Sequence, residues 1–188
     1  MDMYKPLNLA TQFTLKDEYF DYPSHLHGIG HTYRVMTHSL ILGNILKLER
    51  ETKLVLCCAF IHDMARKHDG KCFQHGAWAS EHKFPKFLPL FKSLGIAESD
   101  SEEIKTAVTW HSLSAEIEAK NPYRKTVALL KDADALDRIR LGDLNKERLR
   151  FAETGGLVDY AEKLYYETYR GKQMTFSDYL SLASDLLR

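Results

Sequence analysis

The chain has 188 residues, 26 basic side chains balance 26 acidic ones, and 44% of its residues are apolar. That length fits one compact domain able to bury a core without disulfides or structural metal. The apolar content excludes a disordered chain, and the zero formal charge speaks against nucleic acid or a membrane surface as partner.

The prolines fall at Pro6, Pro23, Pro85, Pro89 and Pro122, which leaves long proline-free stretches for helices. Alternating strand patterns are hard to find, so the expected fold class is all-α. An extended opening segment ends near Pro23. A helix is predicted over about 30–47, where Val35, Leu42 and Ile45 recur at helical spacing. The next, over about 51–65, is apolar almost all round and reads as a central helix enclosed by others. A polar loop over about 66–76 leads to a short helix over about 77–84, which should break at Pro85 and Pro89.

Ser99 with Glu102 has the pattern of a capping box opening a helix that ends near Leu113. Asn121-Pro122 should start another, over about 123–139. Gly155-Gly156 reads as a break before a helix over about 158–169, and Thr175 with Asp178 should cap the last one. The longest uninterrupted apolar run, Leu54–Ile61, falls far short of the about 20 residues that span a bilayer. Cys57, Cys58 and Cys72 show no paired spacing, which suits a reducing compartment. The opening residues lack the basic patch and apolar stretch of a signal peptide, so the expected location is cytoplasmic.

Several polar residues sit on stripes that should be core. Asp134 lies four residues after Leu130 and seven after Val127. His62 stands in that relation to Cys58 and Val55, and Asp63 to Ala59 and Leu56. His31 precedes Val35 by four, and His111 follows Val108 by three. Singly, each reads best as a hydrogen-bonded core residue. Together they point to a divalent cation, because two imidazoles and two carboxylates can neutralise one without leaving buried charge unpaired. A second His-Asp pair, His68-Asp69, precedes Gly70 in the polar loop and reads as a turn.

The order His31, His62-Asp63, Asp134 resembles the HD-domain superfamily of metal-dependent phosphohydrolases. The surrounding segments HGIGHTYRV, AFIHDMAR and LLKDADALDRIR carry the likeness. The resemblance implies an HD-domain bundle of five or more helices over about 24–140. The stretch 141–188 would be a C-terminal helical extension within a single HD-type domain. It implies His31, His62, Asp63 and Asp134 as metal ligands, with Asp63 also catalytic, and hydrolysis of a phosphoester or phosphoanhydride bond. A nucleotide or related small phosphorylated metabolite is the expected substrate. Nitrogen and oxygen ligands without thiolate favour a transition metal, Mn, Fe, Co or Ni, with Mg and Zn as alternatives.

Around this set, Arg66, Arg34 and Lys67 are candidates to receive substrate phosphate, against the plain reading of solvated helix-end cations. His75 and His111 are candidates for a second metal or for phosphate. His68 and His82 read as surface residues, and His25 and His27 as loop histidines near the entrance. Asp137 could orient a ligand. The basic run 138–150 reads as a solvated face, and the stripe Tyr160, Leu164, Tyr165, Tyr169 as terminal-helix packing or a homodimer contact. A di-iron oxygenase of the same fold and a non-catalytic nucleotide-binding or sensory module are the alternative functions.

Overall fold

A computed structural model describes residues 12–169 and 174–188, and among them there is helix and no strand. The first part of the expected extended opening lies outside the described residues. Its remainder leads through a short 3-10 turn at Asp17–Tyr19 into helix α1, Ile29–Ile45. Helix α2 follows at Glu49–Ile61, α3 at His75–Trp78, α4 at Phe84–Ser93, α5 at Ser101–His111 and α6 at Arg124–Leu136. Helices α7, Val158–Thr168, and α8, Phe176–Leu186, close the chain.

The apolar helix is central as its composition requires. Every residue from Leu54 to Ile61 on α2 is buried, enclosed by α1, α5 and α6. The α1–α2 crossing is close because Gly43 has no side chain. A Cβ there would stand 1.9 Å from Thr52 Oγ1. α2 stops at Ile61, four residues short of the expected end. The His62 ring donates through Nδ1 to the Ala59 carbonyl at 2.7 Å, taking the acceptor that a continued helix would offer to the Asp63 amide.

Two local expectations are corrected. Pro85 and Pro89 do not break the chain, because α3 runs through a π-turn, Ala79–Lys83, directly into α4. Pro85 falls in the first turn of α4, where a missing N–H is tolerated, and Pro89 sits inside that helix. The cap before α5 is not Ser99 with Glu102. Asp100 accepts from the Ala97 amide at 3.0 Å instead, two residues before the expected register. The capping box at α8 stands as read, with Thr175 accepting from the Asp178 amide and Asp178 from the Thr175 amide.

The C-terminal helices are tied to the rest by polar bonds as well as apolar ones. Asp132 on α6 is fully buried and accepts from the backbone amides of Arg150 and Phe151, from Thr154 Oγ1 and from the Arg150 guanidinium. The basic run 138–150 is therefore not simply a solvated face. Arg150 pairs with Asp132 and Glu116, and Arg140 donates to the Leu26 carbonyl. Arg138 pairs with Asp143 at the surface.

Candidate metal centre

α1, the end of α2, and α6 bring His31, His62, Asp63 and Asp134 together. His31 Nε2 lies 3.1 Å from His62 Nε2, 3.3 Å from Asp63 Oδ2 and 3.4 Å from Asp134 Oδ1. His62 Nε2 is 3.7 Å from Asp63 Oδ2. Ligand atoms at about 2.1 Å from one ion are about 3.0–3.4 Å apart at octahedral or tetrahedral angles, so the three separations from His31 fit a coordination shell and the His62–Asp63 one is slightly wider. His31, His62 and Asp63 are closed to solvent, whereas the Asp134 side chain retains 25% exposure and marks the open side.

The tautomers sharpen the point. A carbonyl can only accept, so the bond from His62 Nδ1 to Ala59 O places the proton on Nδ1. His31 Nδ1 faces Asp137 Oδ2 at 2.7 Å. Burial raises the Asp137 carboxyl, but Arg34 and His31 outweigh it and hold Asp137 well below the usual range, so it accepts. Each Nε2 then presents a lone pair to the other. A cation between them converts repulsion into coordination. Burial pushes His62 down to about 3, keeping it neutral and free to ligate. Burial also opposes ionisation of Asp63 and Asp134, yet the surrounding imidazoles hold both below the usual carboxylate range.

A second pair repeats the arrangement. His75 Nδ1 donates to Cys72 O at 2.8 Å and His111 Nδ1 to Val108 O at 2.5 Å, again to the carbonyl three residues back. Their Nε2 atoms face each other at 2.9 Å. Asp63 joins the two groups. Its Oδ2 faces His31 and His62, and its Oδ1 lies 3.0 Å from His75 Nε2 and 3.7 Å from His111 Nε2. Arg66 donates from Nε to that same Oδ1 at 2.8 Å.

The remaining candidates divide. Arg34 is buried behind His31, with Nε and Nη2 on Asp137 at 2.5 and 3.1 Å, so its donors are committed away from any phosphate. Its expected phosphate role is corrected on that ground. Lys67 turns to Asp21 at 2.8 Å and is likewise already paired. His25 and His68 are exposed, as their loop positions suggest, and His82 is exposed on the π-turn. Asp137 Oδ2 lies against Nδ1 of the candidate ligand His31, and its ion pair is with Arg34 on α1. Of the aromatic stripe, Tyr160 and Leu164 are buried and Tyr169 is exposed.

His27 is more than a loop histidine near the entrance. It is buried, with Nδ1 2.9 Å from Asp63 Oδ2 and 3.1 Å from Arg140 Nη2, so its tautomer decides which of the two it bonds. Ser24 Oγ accepts from the Leu26 and His27 amides and forms the turn that aims it inward. The serine three residues before the histidine is the sequence signal for that turn.

The HD domain family profile matches residues 28–139, the segment that contains every one of the four proposed ligands. The chain belongs to the HD domain family, whose members are typically metal-dependent phosphohydrolases. Comparisons with curated proteins and with solved structures give no match. The buried His/Asp groupings are compatible with a bound metal ion. No helix among the described residues is long and apolar enough to cross a membrane.

Proposed function

We propose that the protein is a metal-dependent phosphohydrolase acting on a nucleotide or a related small phosphorylated metabolite. The observation that carries this reading is the confrontation of the His31 and His62 Nε2 lone pairs beside Asp63 and Asp134, with Asp134 on the solvent side. His31, His62, Asp63 and Asp134 would hold a divalent metal, with Mn, Fe, Co or Ni favoured over Mg or Zn. Such an ion lowers the pKa of a water and polarises a phosphoryl oxygen.

The chain's own residues supply the rest. Asp63 offers one oxygen to each histidine pair and can accept a proton from an attacking water. Arg66 is tethered through Nε to Asp63 and through Nη1 to the Gly70 carbonyl, which leaves Nη2 to donate to a phosphate oxygen. His75 and His111 turn paired Nε2 lone pairs toward Asp63 Oδ1, where a second cation fits them; a substrate phosphate would need a proton on one of those nitrogens. Closure of His31 and His62 to solvent keeps bulk water from competing for the ligand atoms.

The test is phosphate release from a panel of nucleoside mono-, di- and triphosphates with Mn²⁺. Turnover by the wild type is expected, abolished in Asp63→Asn, with Arg66→Ala raising KM more than it lowers kcat. Binding of a nucleotide without turnover in any metal would replace this reading with the sensory-module one.

The His75–His111 pair favours a second reading, a di-iron oxygenase of the same fold. Two irons per chain with an oxygen-sensitive visible spectrum would select it.

A further inference from the structure

We propose that the two C-terminal helices, which lie beyond the family-matched segment, hold the imidazole of His31 in its ligating orientation through Arg34 and Asp137. The proposal rests on the reading of His31 as a metal ligand and assigns Arg34, Thr168 and Tyr165 as positioning residues for it.

The connection is continuous. On α7, Thr168 Oγ1 accepts from Arg34 Nη1 at 3.3 Å, and the Tyr165 ring lies 5.1 Å from the guanidinium carbon. Tyr179 on α8 brackets the same group. Its hydroxyl and Arg34 Nη1 each lie 3.4 Å from where a Cβ of Gly30 would stand. Arg34 then grips both oxygens of Asp137, and Asp137 Oδ2 accepts from His31 Nδ1. Thr168 completes its own bonding by donating to the Leu164 carbonyl at 2.7 Å, which fixes the acceptor to the helix.

Each link needs the next. The guanidinium is planar, so seating Nη1 on Thr168 and its face on Tyr165 fixes the direction of Nε and Nη2. Those two donors hold both oxygens of the Asp137 carboxylate and so set its plane, with Arg140 Nη1 a more distant partner of Oδ2 at 3.4 Å. The carboxylate holds the His31 proton on Nδ1 and the ring rotation that aims Nε2 at His62. Arg34, Asp137 and His31 are all buried, so water cannot substitute for a lost partner. α7 and α8 contribute none of the candidate ligands, yet they decide whether one of them points correctly.

The experiment compares the wild type, Arg34→Lys, Arg34→Met, the Tyr165→Leu/Thr168→Val pair and that pair in the Arg34→Met background. Co²⁺ affinity is read by visible titration. Solvent exchange of the His31 Nδ1 proton is read by NMR on the metal-free protein. Arg34→Met should weaken Co²⁺ by about 10–100-fold, as loss of a partner behind a metal ligand does. Arg34→Lys, which keeps charge but not the fork, should fall between it and the wild type. The Tyr165/Thr168 pair should weaken Co²⁺ and speed the proton exchange, and should add nothing once Arg34 is gone. Equal weakening in both backgrounds, or an unchanged affinity and exchange rate, would overturn the proposal. A wild type that takes up no Co²⁺ would end the metal reading. Faster Nδ1 exchange in the Tyr165/Thr168 pair would then still support the positioning of His31.

Discussion

His31 and His62 meet Nε2 to Nε2 at 3.1 Å, and each has its proton committed on the far side of the ring, to Asp137 and to the Ala59 carbonyl. The protein itself supplies no proton between the two Nε2 atoms, so a cation should stabilise the fold markedly. At a free concentration one hundred times its dissociation constant, a ligand that binds only the folded state adds about 2.7 kcal/mol. For a chain of this size that corresponds to a rise in Tm of about 5–10 °C. Differential scanning calorimetry with and without Mn²⁺ measures it, and His62→Ala should show no rise.

Asp132 and Asp134 are two residues apart and point to different tasks. Asp132→Ala removes the acceptor for two backbone amides, a threonine hydroxyl and the Arg150 guanidinium. A loss of about 3–5 kcal/mol is expected from breaking such a buried pair. Urea unfolding would show it, with metal stoichiometry unchanged. Asp134→Ala should show the reverse pattern, losing metal with little loss of stability in the metal-free protein.

Gly76 lets α3 close against α5 and so brings His75 to His111. A Cβ at that position would stand 2.3 Å from the Val108 carbonyl oxygen. Gly76→Ala should therefore cost about 1–3 kcal/mol of overpacking. It should also push the His75 ring off its partner, lowering affinity for any second ion while sparing the first. Calorimetric metal titration separates the two steps.

His38 is wholly buried, and among the described residues neither of its ring nitrogens has a hydrogen-bond partner. Burial lowers its pKa from 6.5 to about 4. Between those values the unfolded chain takes up a proton that the folded chain refuses, so stability is full above pH 6.5 and falls as the pH drops towards 4. The loss from this one residue is about 3 kcal/mol. His38→Leu should flatten that part of the curve relative to the wild type, measured as Tm between pH 7 and 5.

Much of the architecture is written locally. Proline placement and apolar spacing suffice to expect helices, and the all-round apolar run of α2 suffices to put it at the centre. The inward aim of Asp134, His62 and His31 follows from helical spacing for the same reason. The position of Arg34 on the His31 side of α1 does not reveal its partner, because Asp137 comes from the 3-10 turn that follows α6, over a hundred residues further along the chain. His27 carries no periodicity at all, since a turn rather than a helix aims it. The π-turn at Ala79–Lys83 likewise has no pattern of its own, and it carries the chain helically past two prolines that the local rules read as a stop.

The central claim is that His31, His62, Asp63 and Asp134 hold a divalent ion. Elemental analysis of protein purified without added metal, and again after reconstitution with Mn²⁺, tests it most directly beside Asp134→Ala. The account predicts at least one metal ion per wild-type chain, lost in the variant. Wild-type protein that remains metal-free after reconstitution would contradict it.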